Sequence, residues 1–166
     1  SEHGLKQIAI LRDRFGEKCM IGAGTAISVD LAKAAIGAGA QFLLTPGTPI
    51  DVLQYCAKKD IMLLPGVFTP GDVATSLEFG YKTMKLFPAG CAPKGYLKAL
   101  KGPYDEANYI AIGGVTIDNI NDYFKEGYMG VGLASNLMPL SVLKDKNWDL
   151  GVSYVQKYVS RVKRRV

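Results

Sequence analysis

A chain of 166 residues fits the roughly 100–200 residues expected of one domain. With 48% hydrophobic and 21% charged residues it can bury a core, and a disordered chain is excluded. Of the net charge of +5, four positive units come from Arg161, Lys163, Arg164 and Arg165, so the excess reads as a solvated basic helix end, not a nucleic-acid surface.

Apolar runs such as 61–64 are far shorter than the about 20 residues a membrane span needs. The opening Ser1-Glu2-His3-Gly4-Leu5-Lys6 lacks the basic start and apolar centre of a secretion signal, and the expected location is the cytoplasm. The three cysteines (Cys19, Cys56, Cys91) are widely spaced, which argues against a disulfide framework or a paired-cysteine metal site. With His3 as the one histidine, a His-built metal centre or a His-activated nucleophile is not expected.

Strand candidates occupy 19–25, 41–46, 61–67, 83–88, 109–115 and 130–136, each an apolar or β-branched run closed by Gly, Pro, Thr or Ser. Helix signals lie between them. Ser28-Val29-Asp30-Leu31 opens the first helix, with an apolar face at Leu31, Ala34, Ala35 and Ala38. Thr48-Pro49, Thr69-Pro70-Gly71-Asp72 and Thr116-Ile117-Asp118 open three more, and Trp148 is expected to anchor the last.

Continuous apolar strands alternating with helices predict an α/β fold with a helix-covered parallel sheet. The strand ends Thr25, Pro46, Gly66, Pro88, Gly114 and Ser135 recur roughly every 20–26 residues, and this short period favours a barrel of the (β/α)8 type over an open sheet. About six β/α units are present in a single domain over residues 1–166. Gly22-Ala23-Gly24 resembles the start of a dinucleotide fingerprint, but Ile27 occupies its third glycine position, and a nucleotide fold is rejected.

Lys85 is a single charge within the apolar run Thr83-Met84-Lys85-Leu86-Phe87-Pro88, expected to be buried on both faces. Desolvation would favour the neutral amine that a Schiff-base nucleophile requires. A carboxylate partner or an exposed edge strand would be the structural account of the same lysine. Gly113-Gly114 and Ser135 end the last two strands, where barrels bind phosphate, though turn glycines would look the same. Thr25 is either a strand-end hydroxyl for a carboxylate or a helix cap. Pro46-Gly47 and Pro65-Gly66 read as turns, and the tyrosines, Tyr55, Tyr81 and Tyr104 among them, form no pattern.

Taken together, Ile21-Gly22-Ala23-Gly24-Thr25, Gly39 to Gly47, Leu64-Pro65-Gly66-Val67, Met84-Lys85-Leu86-Phe87-Pro88-Ala89, Leu97 to Pro103, Gly113-Gly114-Val115 and Gly130 to Ser135 resemble the class I pyruvate aldolases acting on 2-dehydro-3-deoxy-phosphogluconate and 4-hydroxy-2-oxoglutarate. The resemblance implies a (β/α)8 barrel, a homotrimer and no metal or organic cofactor, with a keto acid or sugar-acid phosphate as its small-molecule partner.

It also implies that Lys85 forms the Schiff base, Thr25 binds the pyruvate carboxylate and Phe87 packs beside the keto acid, while Gly113, Gly114 and Ser135 hold phosphate. In the family, a Glu acid/base and a carboxylate-gripping Arg stand on the second strand. Ser1 aligns just after that strand, so the first two strands are expected to be absent and the barrel N-terminally incomplete. Ile112, before the paired glycines, resembles the phosphogalactonate pattern more than the gluconate one. A phosphate-binding barrel of other activity, an isomerase or synthase, and a non-catalytic truncated form remain the alternatives.

Overall fold

The computed structural model describes residues 2–163. Arg164 and Arg165 of the basic tail lie outside the described residues. The chain divides into two compact units, Ser1–Lys85 and Leu86–Val166.

The first unit begins with a helix, α1 (Glu2–Phe15), that has no buried residue. It continues through β1 (Gly22–Ala23), α2 (Val29–Gly37), β2 (Phe42–Leu44), α3 (Ile50–Lys58), β3 (Leu63–Leu64), β4 (Gly66–Val67), α4 (Pro70–Glu78) and most of β5 (Thr83–Leu86). β1, β2 and β3 form a parallel sheet with Gly22 opposite Phe42, and Leu43 and Leu44 opposite Leu63 and Leu64.

Its core gathers around Leu43, Val52, Leu53 and Cys56, all with no exposed surface. Val52, Leu53 and Cys56 share one face of α3, as residues one turn apart must. In α2 the buried positions are Ala32 and Ala35, so the apolar face is rotated from the one expected, and Leu31 is 43% exposed.

The helix starts follow local chemistry. Ser28 Oγ accepts from Leu31 N at 3.3 Å and caps α2. Thr69 and Asp72 form a reciprocal capping box at α4: Asp72 N donates to Thr69 Oγ1 at 3.3 Å and Thr69 N to Asp72 Oδ2 at 2.8 Å. Burial would raise the Asp72 pKa, but hydrogen bonds from Thr69, Phe68 and Thr48 outweigh it and hold the carboxyl below its ordinary value. Thr48 does not cap α3 as expected, because its hydroxyl donates instead to Asp72 Oδ1 at 3.3 Å.

The run 61–67 forms two strands rather than one. Pro65 has no N–H to give to a ladder, and the pairing changes partner there. Before it, Leu64 O accepts from Thr45 N at 3.3 Å; at it, Pro65 O accepts from Lys85 N at 2.8 Å. Within the first unit the strands accordingly fall into the sheet β1-β2-β3 and a separate pair, β4 and β5.

The second unit carries a 3-10 turn (Ala89–Cys91), α5 (Tyr96–Lys101), β6 (Asn108–Ile112), α6 (Ile120–Glu126), β7 (Gly130–Gly132), α7 (Leu140–Lys144) and α8 (Trp148–Lys163). β6 and β7 are parallel, with Ile110, Ala111 and Ile112 opposite Gly130, Val131 and Gly132. Leu97, Tyr109, Val115, Ile120 and Val142 are buried.

Thr116 does open the α6 region, through a reciprocal pair: Thr116 N donates to Asn119 Oδ1 at 2.7 Å and Asn119 N to Thr116 Oγ1 at 3.4 Å. Trp148 is 59% exposed and does not anchor α8, whose buried positions are Gly151 and Tyr158. Asp149 and Leu150 beside it are exposed as well, so burial along α8 begins only at Gly151. No helix among the described residues is long and apolar enough to cross a membrane. The α/β class with parallel strands and alternating helices is the one the sequence predicts.

Candidate functional site

In the first unit, the side chains of β5 alternate as those of a strand must. Met84 has no exposed surface, whereas Thr83 and Lys85 on the opposite face are half-buried. The strand is therefore not buried on both faces, and Lys85 keeps part of its side chain exposed. Its surroundings still withhold water, and this burial lowers the Lys85 pKa below the ordinary value of 10.5.

Thr25 stands two residues beyond the end of β1, exposed, with φ of 62°. That left-handed conformation is uncommon for a β-branched residue and carries strain on the order of 1–2 kcal/mol. Hydrogen bonds from the two residues that follow hold it: Ala26 N donates to Leu44 O at 3.1 Å and Ile27 N to Thr25 O at 2.9 Å. Thr25→Gly is expected to match or exceed the parent in stability, by up to about 1 kcal/mol, whereas Thr25→Ala keeps the strain and gains nothing. Urea denaturation of the two variants checks this, and equal stabilities would show that the backbone is unstrained.

Thr45 is a site neighbour that sequence reasoning assigned to no role. It is fully buried, its Oγ1 donates to Gly47 O at 2.6 Å and accepts from Gly66 N at 3.1 Å. One hydroxyl thus ties the turn after β2 to the start of β4. A Thr directly before Pro-Gly at a strand end was the available signal.

In the second unit, Phe87 lies against the glycine pair: a Cβ at Gly113 would sit 3.1 Å from two Phe87 ring carbons. Gly113 and Gly114 have φ of 87° and 84°. Both carbonyls are engaged, Gly113 O by Gly90 N at 2.8 Å and Gly114 O by Asn119 Nδ2 at 2.9 Å. Ile112, half-buried, is the last residue of β6.

Ser135 is exposed after β7 and lines a cleft of about 380 Å³ with Thr116, Asn136, Tyr154, Lys157 and Tyr158. Asn136 Nδ2 donates to Val115 O at 3.1 Å, and Tyr158 Oη donates to Asn136 O at 2.7 Å. These two bonds fasten the loop after β7 to the end of β6's loop and to α8. Among the described residues, no three His, Cys, Asp or Glu side chains gather as a metal site would need.

A family model described as KDPG and KHG aldolase matches residues 1–153. The chain is 30% identical over 155 residues to the 2-dehydro-3-deoxy-6-phosphogalactonate aldolase of Escherichia coli, covering 92% of this chain and 75% of that protein. It is 33% identical over 148 residues to the 2-dehydro-3-deoxy-phosphogluconate aldolase of Pseudomonas aeruginosa, covering 88% of this chain and 66% of that protein. It spans 55% of the length of the corresponding enzyme of Treponema pallidum.

Among solved structures, the KDPG aldolase of Legionella pneumophila, holding pyruvate as a covalent carbinolamine, superposes with a TM-score of 0.83 at 30% identity over 91% of this chain and 73% of that one. By the span of the family match and by this likeness in both sequence and fold, the chain belongs to the KDPG and KHG aldolase family.

Proposed function

We propose that the protein is a class I aldolase, a carbon–carbon lyase that releases pyruvate from a 2-keto-3-deoxy-6-phospho sugar acid or from 4-hydroxy-2-oxoglutarate. The observation that carries this reading is Lys85, a half-buried lysine whose ammonium form is disfavoured by burial, in a chain of this family. The neutral amine is the form that attacks a ketone, and a lowered pKa makes that form easier to reach.

Lys85 Nζ adds to the C2 carbonyl to give a carbinolamine, which loses water to form an iminium. The C4 hydroxyl proton leaves to water as the C3–C4 electron pair moves into the iminium, releasing glyceraldehyde 3-phosphate or glyoxylate. The resulting enamine takes a proton at C3, and water hydrolyses the imine to free pyruvate and Lys85.

Thr25 is proposed to hold the carboxylate and Phe87 to pack beside the keto acid. Gly113, Gly114 and Ser135 are proposed to meet the phosphate: both glycine carbonyls are held by hydrogen bonds, which fixes the turn whose backbone N–H groups would meet an anion. Ile112 before the paired glycines resembles the phosphogalactonate pattern, and both sugar-acid configurations stay within the proposed substrate class. The assembly proposed is a cytoplasmic homotrimer without metal or organic cofactor.

Sodium borohydride added with pyruvate tests the reading. A reduced pyruvyl adduct mapping to the Lys85 peptide is expected, and its absence from the folded protein would sink the imine mechanism.

A further inference from the structure

We infer that Lys157 of α8 is the cation that fixes the substrate's terminal phosphate, working with Ser135 across the cleft they share. The identity of the ligand as a phosphorylated sugar acid rests on the aldolase reading, but the anion site stands on its own geometry.

The cleft of about 380 Å³ is lined by Ser135 and Thr116, from the loops after β7 and β6, together with Lys157. An adjoining cleft shares Ile117 and Lys157 and adds Arg161. Among the described residues, no carboxylate lines either cleft, so the charged side chains along this seam, Lys157 and Arg161, are all positive. A dianionic phosphate held by backbone N–H and hydroxyl groups alone would lack a counter-charge, and a charge-assisted bond from an ammonium supplies one.

Two contacts place the ammonium. Tyr158, the next residue, is buried to 7% exposure and bonds the Asn136 carbonyl at 2.7 Å, which sets the register of α8 against the Ser135 loop. Tyr154, three residues back on the same helix face, carries Lys157 Nζ 5.0 Å above its ring centroid. The long side chain is therefore held on the cleft side while its charge remains available to an anion.

Calorimetric titration with glycerol 3-phosphate, and with glycerol as the uncharged counterpart, tests the site in four proteins: the parent, Lys157→Met, Lys157→Arg and Lys94→Met. Lys94 is an exposed lysine outside both clefts. The parent and Lys94→Met are expected to bind glycerol 3-phosphate alike, Lys157→Arg within about twofold, and Lys157→Met at least about fivefold more weakly, with glycerol bound by none. A loss smaller than fivefold in Lys157→Met, or no binding by the folded parent, overturns the proposal. Borohydride trapping on Lys85 reads the aldolase chemistry separately, because phosphate binding does not require the imine and pyruvate trapping does not require phosphate.

Discussion

Lys85→Met is expected to lower kcat for pyruvate release by on the order of 10⁴-fold or more while leaving the protein at least as stable as the parent at neutral pH. Methionine keeps the length and apolar stem of lysine, so Met84 and Leu86 on the buried face of β5 are undisturbed. What disappears is an ammonium that burial disfavours. The sign of the linkage follows from the lowered pKa. Below the folded-state value both states hold the proton, and the folded state carries the cost of a partly dehydrated charge.

Between that value and about 10.5 the unfolded chain binds a proton that the folded one has released, so stability rises with pH across this window. Parent and variant should therefore converge as the pH approaches 10.5. Urea denaturation of both proteins at pH 7 and pH 10, read as a difference to cancel the tyrosines, checks this, and a pyruvate-release assay checks the rate. A variant that loses stability at pH 7 would mean that Lys85 is a structural ion-pair member, and one that retains activity would remove the covalent step.

The alternation of strand and helix was legible because it is written locally. Ser28, and Thr69 with Asp72, satisfy the first amides of their own helices within three residues, and apolar runs such as 83–88 need no distant information. Strand ends were not legible, because hydrophobicity continues where hydrogen bonding stops. β1 keeps two residues of a seven-residue apolar run, and Pro65 splits another. α1 was unreadable for the opposite reason: its apolar side chains Ile10, Leu11 and Phe15 are 64%, 42% and 38% exposed, so no buried stripe marks it.

Within the site, Lys85 could be singled out because a lone charge in an apolar strand is visible in one dimension. Thr45, Asn136, Lys157 and Tyr158 could not. Thr45, Asn136 and Tyr158 take their meaning from hydrogen bonds 21 or 22 residues away, such as Gly66 N to Thr45 and Tyr158 to Asn136, and Lys157 from the cleft it lines with Ser135, which only the register of the folded elements creates. Thr25 falls between the two cases, since its position was legible but the left-handed backbone that presents it was not.

The second large effect is expected at Gly114→Ala, which should destabilise the protein by about 2–5 kcal/mol and weaken phosphate-dependent turnover in whatever fraction stays folded. Two costs add. Its φ of 84° is left-handed, a conformation that costs an alanine about 1–2 kcal/mol. The new Cβ would also stand 2.8 Å from Gly90 Cα and 3.2 Å from Gly90 N, backbone atoms that cannot swing aside as a side-chain tip would.

Gly95 separates the two terms, since it has the same φ of 84° with nothing within 4 Å of an added Cβ. Gly95→Ala should therefore lose only the conformational part, and the excess loss in Gly114→Ala measures how tightly the turn is pressed onto Gly90. That pressure also sets the loop proposed to hold phosphate, because moving Gly90 strains its bond to Gly113 O, and moving Gly114 strains its bond from Asn119. Thermal unfolding of both variants is the measurement. Equal losses would mean that the 113–114 turn has room to relax, and its backbone would then be too loosely held to act as a preformed phosphate cradle.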